Sequence, residues 1–133
     1  MNVLPGRIEA MQFAVPFCSL QIRVAGYRWH SIVLETPETA PYLRFDAQID
    51  LLFKETDVLL SRDQPTGFSA PNICQVEIQQ INNGQLLSRV SLRLNDHSML
   101  ALVTSEAVQS LALRPGQTVF AWINSHALQL APP

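Results

Sequence analysis

The sequence predicts an all-β protein: two small five-stranded barrels in tandem, each with one short helix. Three observations carry this. The chain repeats itself at a fixed offset. Within each copy, apolar residues recur mostly with a period of two, the mark of strands. Each copy holds about five strand-length segments, too few to bury a core as an open sheet.

The repeat comes first because everything else is read twice. The chain opens MNVLPGRIEAM, and after SRDQPTGFSAP it starts again as APNICQVEIQQI. Setting Asn2 on Asn72 fixes an offset of 70 residues, which needs no gap to the end of the second copy. Ile8 then meets Ile78, Arg23 meets Arg93, Val33 meets Val103, Leu43-Arg44 meets Leu113-Arg114 and Leu60 meets Leu130. Apolar positions coincide as well: Val3 with Ile73, Ile22 with Leu92, Ile49 with Val119, Phe53 with Ile123, Val58 with Leu128.

The elements follow in order. A first strand covers roughly Val3 to Gln12, and Ile73 to Ile81 in the second copy. SLQIRV sets Leu20, Ile22 and Val24 against Gln21 and Arg23, and VSLRL does the same with Val90, Leu92 and Leu94. Turn signals follow both, Ala25-Gly26 and Asn95-Asp96, so each copy carries a hairpin. Next comes the one helix-like stretch. TSEAVQSLAL has Thr104 or Ser105 as N-cap and Glu106 in its first turn, and it stops before Arg114-Pro115-Gly116. Its counterpart ETPETAPYL is too rich in proline for more than one turn. Two strands finish each copy: about Gln48 to Lys54 with Asp57 to Leu60, and Thr118 to Asn124 with Ala127 to Leu130. Closure into a barrel follows, and two OB-like barrels are expected: residues 1–61, a linker at 62–71, and residues 72–133. Exposed strand edges at the barrel mouths favour pairing with a second chain.

Composition narrows the function. Hydrophobic residues make up 47% and charged ones only 15%, so part of this quiet surface is expected to meet a partner. Eight Arg and one Lys are scattered along a chain of net charge −2, which argues against a nucleic-acid binder. No apolar run reaches the length of a membrane span, and no signal peptide opens the chain. Cys18 and Cys74 lack metal or redox spacing and read as reduced, buried thiols of a cytosolic chain. His30, His97 and His126 have no carboxylate or cysteine at ligand spacing and read as surface or rim residues. No Gly-rich phosphate loop, metal-ligand pair or nucleophile with an arranged base is present, so no catalytic residue and no metal site is assigned. Glu35, Glu38, Glu55 and Asp57 read as a solvated rim rather than a catalytic dyad. Trp122, in VFAWI, reads as core or interface; Trp29, beside Arg28 and His30, is left open between core and a base-stacking platform.

One run is more specific. VTSEAVQSLALRPGQTVFAWINSHALQL, with its partial echo VLETPETAPYLRFDAQIDLLFKETDVLL, resembles the molybdate-binding Mop domain of the broader TOBE group. Val103-Thr104, Leu111 to Gly116 and Val119 to Leu128 carry the likeness, which extends over nearly the whole chain as two copies. The overall pattern is most similar to the C-terminal regulatory segment of the ATP-binding subunit of molybdate importers. The resemblance implies an oxyanion, molybdate or tungstate, bound in clefts between barrels, with a homodimer and with the ATPase and permease subunits of an ABC importer as partners. It implies no nucleotide and no catalysis in this chain, no membrane insertion, and a cytoplasmic place at the inner face of the membrane through the transporter complex. A buried tetrahedral dianion needs several donors and partial charge compensation.

Carried over residue by residue, the resemblance implies anion-binding roles for Lys54, Ser69, Ala70, Thr104, Asn124 and Ser125. Lys54 stands at the family's Lys position and is the only Lys in the chain. Asn124-Ser125 takes that place in the second copy. Ser69-Ala70-Pro71-Asn72 keeps Ser, Ala and Asn of the family's entry motif, but Pro71 replaces Arg and loses a charge and an amide donor. Thr104 matches the helix-start Thr and serves equally well as a plain N-cap. Ala107 stands where a family Ser is common, and Glu35 and Glu55 would repel a dianion. The first copy's own entry motif would lie before Met1, which suggests an excised domain of a larger ATPase. The alternative reading is a purely structural dimerisation module with degenerate anion sites.

Overall fold

The computed structural model describes residues 1–67, 69 and 72–133. Ten strands form two antiparallel five-stranded sheets. The first half supplies β1 (Asn2–Ala14), β2 (Phe17–Val24), β3 (Tyr27–Val33), β4 (Gln48–Phe53) and β5 (Leu59–Ser61). The second supplies β6 (Asn72–Asn82), β7 (Leu87–Leu94), β8 (His97–Thr104), β9 (Thr118–Ile123) and β10 (Gln129–Ala131). Among the described residues the one α-helix, α1, spans Ser105–Ser110, and short 3-10 turns follow β4 (Glu55–Asp57) and β9 (Ser125–Ala127).

The repeat is visible in backbone detail. β1 bulges between Ile8 and Ala10 where it pairs with β2, and β6 bulges between Ile78 and Gln80 where it pairs with β7. The Ile8 N–H donates to Ala47 O at 3.0 Å and Ile8 O accepts from Asp46 N–H at 2.8 Å. Ile78 repeats this with Gln117 O at 2.9 Å and Gly116 N–H at 2.8 Å. The residue that closes this loop is left-handed both times, Asp46 at φ 66° and Gly116 at φ 86°. Gly takes that conformation freely and Asp tolerates it better than most.

The halves differ at the helix. Thr104 caps α1 by accepting from Ala107 N–H at 3.1 Å. In the first half the chain makes one turn, with Ala40 N–H donating to Thr36 O at 2.7 Å, and stops. Pro41 has no N–H to extend it, so the expectation of one helix per barrel holds only for the second half.

The strand order departs from two self-contained sets. The sheets run β10-β4-β1-β2-β3 and β5-β9-β6-β7-β8. Each half gives its last strand to the other: Leu130 lies opposite Leu51, and Leu60 opposite Ala121. The 3-10 turns send the chain across, Glu55–Asp57 packing against β8 and Ser125–Ala127 against β3. β5 also approaches β8, curling its sheet toward closure. Val58 and Leu128, at the foot of the exchanged strands, are almost fully buried, and the buried residues of both sheets form one continuous core. Burying side chains of this size stabilises the fold by about 1.5–3 kcal/mol each.

Candidate functional site: two seams between the halves

β3 and β8 end their sheets, so their outer backbone groups have no strand to pair with. Each is met by a buried asparagine from the other half. The Asn72 side chain donates from Nδ2 to His30 O at 2.9 Å and accepts from His30 N–H at Oδ1, 2.6 Å. Asn2 does the same to Leu100, donating at 2.9 Å and accepting at 2.8 Å. An amide side chain carries one donor and one acceptor in a plane, like a peptide group, so it substitutes for the missing strand. This is why the chain begins each copy with Asn. Trp29 adds a bond from Nε1 to Ile73 O at 3.4 Å, and the Tyr27 hydroxyl accepts from Gln75 N–H at 3.2 Å. Trp29 is buried edge-on to Phe53 at 6.2 Å, which settles it as core rather than a stacking platform.

The halves therefore meet along two related seams. In the first, the turn Glu55–Asp57 lies on β8; in the second, Ser125–Ala127 lies on β3. The second seam holds a chain of polar side chains. The Ser125 hydroxyl, almost fully buried, is 3.2 Å from His30 Nδ1. His30 Nε2 is 2.6 Å from Ser19 Oγ. Asn124 caps the turn, its Oδ1 accepting from His126 N–H at 3.4 Å and lying 2.9 Å from His126 Nδ1. Beside this chain runs a groove of about 410 Å³ lined by Gln12, Ala14, Phe17, Ser19, Ile32 and His126. It adjoins a second of about 640 Å³ that shares Phe17, Ile32 and His126 and includes Glu35 and Gln129.

This set can present hydroxyl protons to a ligand. A neutral imidazole donates to one hydroxyl and accepts from the other, which leaves one hydroxyl proton free for a ligand. A charged imidazole donates to both, frees both hydroxyl protons and adds a positive charge.

At the first seam the matched positions read differently. Leu100 replaces His30, Arg89 replaces Ser19, Lys54 replaces Asn124 and Glu55 replaces Ser125. Arg89 and Glu55 form an ion pair at 3.5 Å, the Glu55 side chain being 20% exposed. Lys54 is exposed, and its backbone N–H donates to Asp57 Oδ2 at 3.0 Å.

Of the residues singled out from sequence, Asn124 and Ser125 stand together at the second seam. Lys54 is on the first seam's turn, and Thr104 ends the strand beneath that turn, its hydroxyl engaged as the helix cap. Ser69 is exposed in a bend on the linker, and Ala70 lies outside the described residues, as does Pro71. Sequence reading passed over His30 and Ser19. His30 was expected on the surface or rim; it is half-buried and bonded on both ring nitrogens. A signal was present in the repeat itself, where polar His30 faces apolar Leu100 and neutral Ser19 faces Arg89.

Comparison with known proteins bears on the fold. The TOBE domain model matches residues 69–130. The molybdenum import ATP-binding protein ModC of Pasteurella multocida is 27% identical over 125 residues, covering 92% of this chain and 36% of that protein. ModC of Rhizobium etli is 37% identical over 75 residues, covering 55% of this chain and 21% of that protein. The chain thus spans between about a fifth and about a third of the length of these curated relatives. Among solved structures, the cytoplasmic molybdate-binding protein ModG, crystallised with molybdate bound, superposes with a TM-score of 0.91 at 27% identity, covering 99% of this chain and 96% of that one. Residues 69–130 match the TOBE domain, the first half repeats its elements, and the whole resembles ModG in fold from end to end.

Proposed function

We propose that this chain binds a tetrahedral oxyanion of the molybdate class at the seams between its halves and serves as a regulatory and dimerising domain of a molybdate importer. The observation that carries the reading is the hydroxyl–imidazole–hydroxyl chain of half-buried Ser19 and His30 with buried Ser125, in a fold matched over nearly its full length by a protein crystallised with molybdate. These side chains supply directed donors at a partly buried seam, and Asn124 and His126 add polar groups at the rim. Thr104 and Lys54 belong to the first seam in this reading; Ser69 is exposed on the linker, and Ala70 lies outside the described residues. Molybdate and tungstate share charge and shape, so both are expected to bind.

The importer role is drawn from the likeness to ModC, and the cytoplasmic placement from ModG. Among the described residues no helix is long and apolar enough to cross a membrane. Dimerisation is supported by the apolar tip of the β1–β2 hairpin, where Phe13, Val15 and Phe17 are exposed beside Leu34. The test is calorimetric titration with molybdate, tungstate and sulfate, alongside sedimentation. Heat with the first two and a dimer support the reading. A dimer that takes up no oxyanion leaves the second reading, a structural brace, which the Glu55–Arg89 pair at one seam favours.

A further inference from the structure

The two seams are built on one plan, so their differences can be read position by position. Both have an asparagine clamp, a strand edge and a 3-10 turn laid across it. At the place where the second seam presents the Ser125 hydroxyl, the first presents the Glu55 carboxylate. Where the second has Ser19, the first has Arg89, and Arg89 forms an ion pair with Glu55 across the seam.

Resting on the oxyanion reading above, we infer that the first seam is occupied by the chain's own carboxylate, so that each chain takes one oxyanion, at the second seam alone. Glu55 offers two anionic oxygens at the matched position and is mostly screened from water. A dianion entering there would have to displace it from Arg89 or sit beside it, and like charges at short range oppose both. The second seam carries no carboxylate at any matched position: Ser19, His30, Asn124, Ser125 and His126 are neutral or cationic. The nearest acid in its adjoining groove, Glu35, accepts the Tyr42 hydroxyl at 2.7 Å. The arrangement also says what removing Glu55 would do. Arg89 would lose its carboxylate partner, leaving Arg89 and Lys54 at the seam with Asp57 as the acid on that turn, and two cations at one seam are a good receiver for a dianion.

The experiment is calorimetric titration of the intact chain with sodium molybdate, comparing wild type with Glu55→Gln and with His30→Leu/Ser125→Ala. Thermal unfolding verifies that each variant is folded. The expected counts are one molybdate per chain for wild type, two for Glu55→Gln and none for His30→Leu/Ser125→Ala. The site gained in Glu55→Gln should weaken more steeply with added salt than the original one. Two sites in wild type, or an unchanged single site in Glu55→Gln, would overturn the inference while leaving oxyanion binding intact. Wild type empty with Glu55→Gln binding one would overturn the choice of open seam. If neither protein takes up molybdate, the oxyanion reading itself falls, and this inference with it.

Discussion

Asn72→Ala tests the asparagine clamp most directly. The Asn72 side chain is fully buried and makes two hydrogen bonds to one residue's backbone, at 2.6 and 2.9 Å. Truncation leaves the His30 N–H and C=O without partners on a strand edge that no other strand covers. Each orphaned buried group costs about 1–3 kcal/mol, and His30 is half-buried, so water recovers part of it. The expected loss is about 2–4 kcal/mol, a large share of the stability of a domain this size. Asn72→Asp separates the terms, because it keeps the acceptor for His30 N–H and replaces the donor with a charge facing His30 O. It should cost at least as much as the alanine. Urea unfolding followed by tryptophan fluorescence gives both values, with the slope checked for constancy so that a midpoint shift reads as stability. Asn2→Ala should fall in the same range, since its bonds of 2.9 and 2.8 Å repeat the geometry. A loss below about 1 kcal/mol at Asn72 would refute the idea that the amide substitutes for a strand.

Other outcomes follow from the same structure. Leu128→Ala, at a buried foot of an exchanged strand, should destabilise by about 2–5 kcal/mol in the same assay. Fragments 1–67 and 72–133 should each lack a cooperative melt alone and regain one when mixed, because each sheet borrows an edge strand. Stability should fall in alkali. Burial pushes the Cys74 thiol up to about 12, and burial, then the Glu35 carboxylate, pushes the Tyr42 phenol up to about 12. Both groups are neutral below those values, so the stabilisation is complete below the unfolded values of 9.0 and 10.0 and is lost as pH rises toward 12. Melting temperature followed between pH 8 and 11 should decline, and Cys74 should resist thiol reagents until the protein unfolds. For the oxyanion, Ser125→Ala should weaken molybdate binding about tenfold, the worth of one good hydrogen bond, while Lys54→Ala should leave it within about twofold.

Much of the strand content could be read from sequence, because the two-residue period and the repeat reinforce each other. Leu20, Ile22 and Val24 are all buried, and so are Val90, Leu92 and Leu94. The exchange of β5 and β10 could not be read. Leu59–Ser61 and Gln129–Ala131 come from matched positions of like copies, so either would fit either sheet with the same alternation. Which sheet each joins is decided by the direction in which a 3-10 turn throws the chain. Of the proposed site, the sequence offered only the contiguous pair Asn124-Ser125. The Ser19–His30–Ser125 chain joins three elements, and its ends come from opposite halves, a contact no local spacing reports. Glu55 was seen as a misfit in charge, but its partner Arg89 is visible only once β7 and the turn are in place.

A lone copy of this unit would have no second half to lend it an edge, and could complete its sheet only by meeting another molecule. Joining two copies through a short connector turns that encounter into an event within one chain, at an effective concentration that dilution does not lower. The swapped strands thus make assembly of this pair independent of how much protein a cell holds.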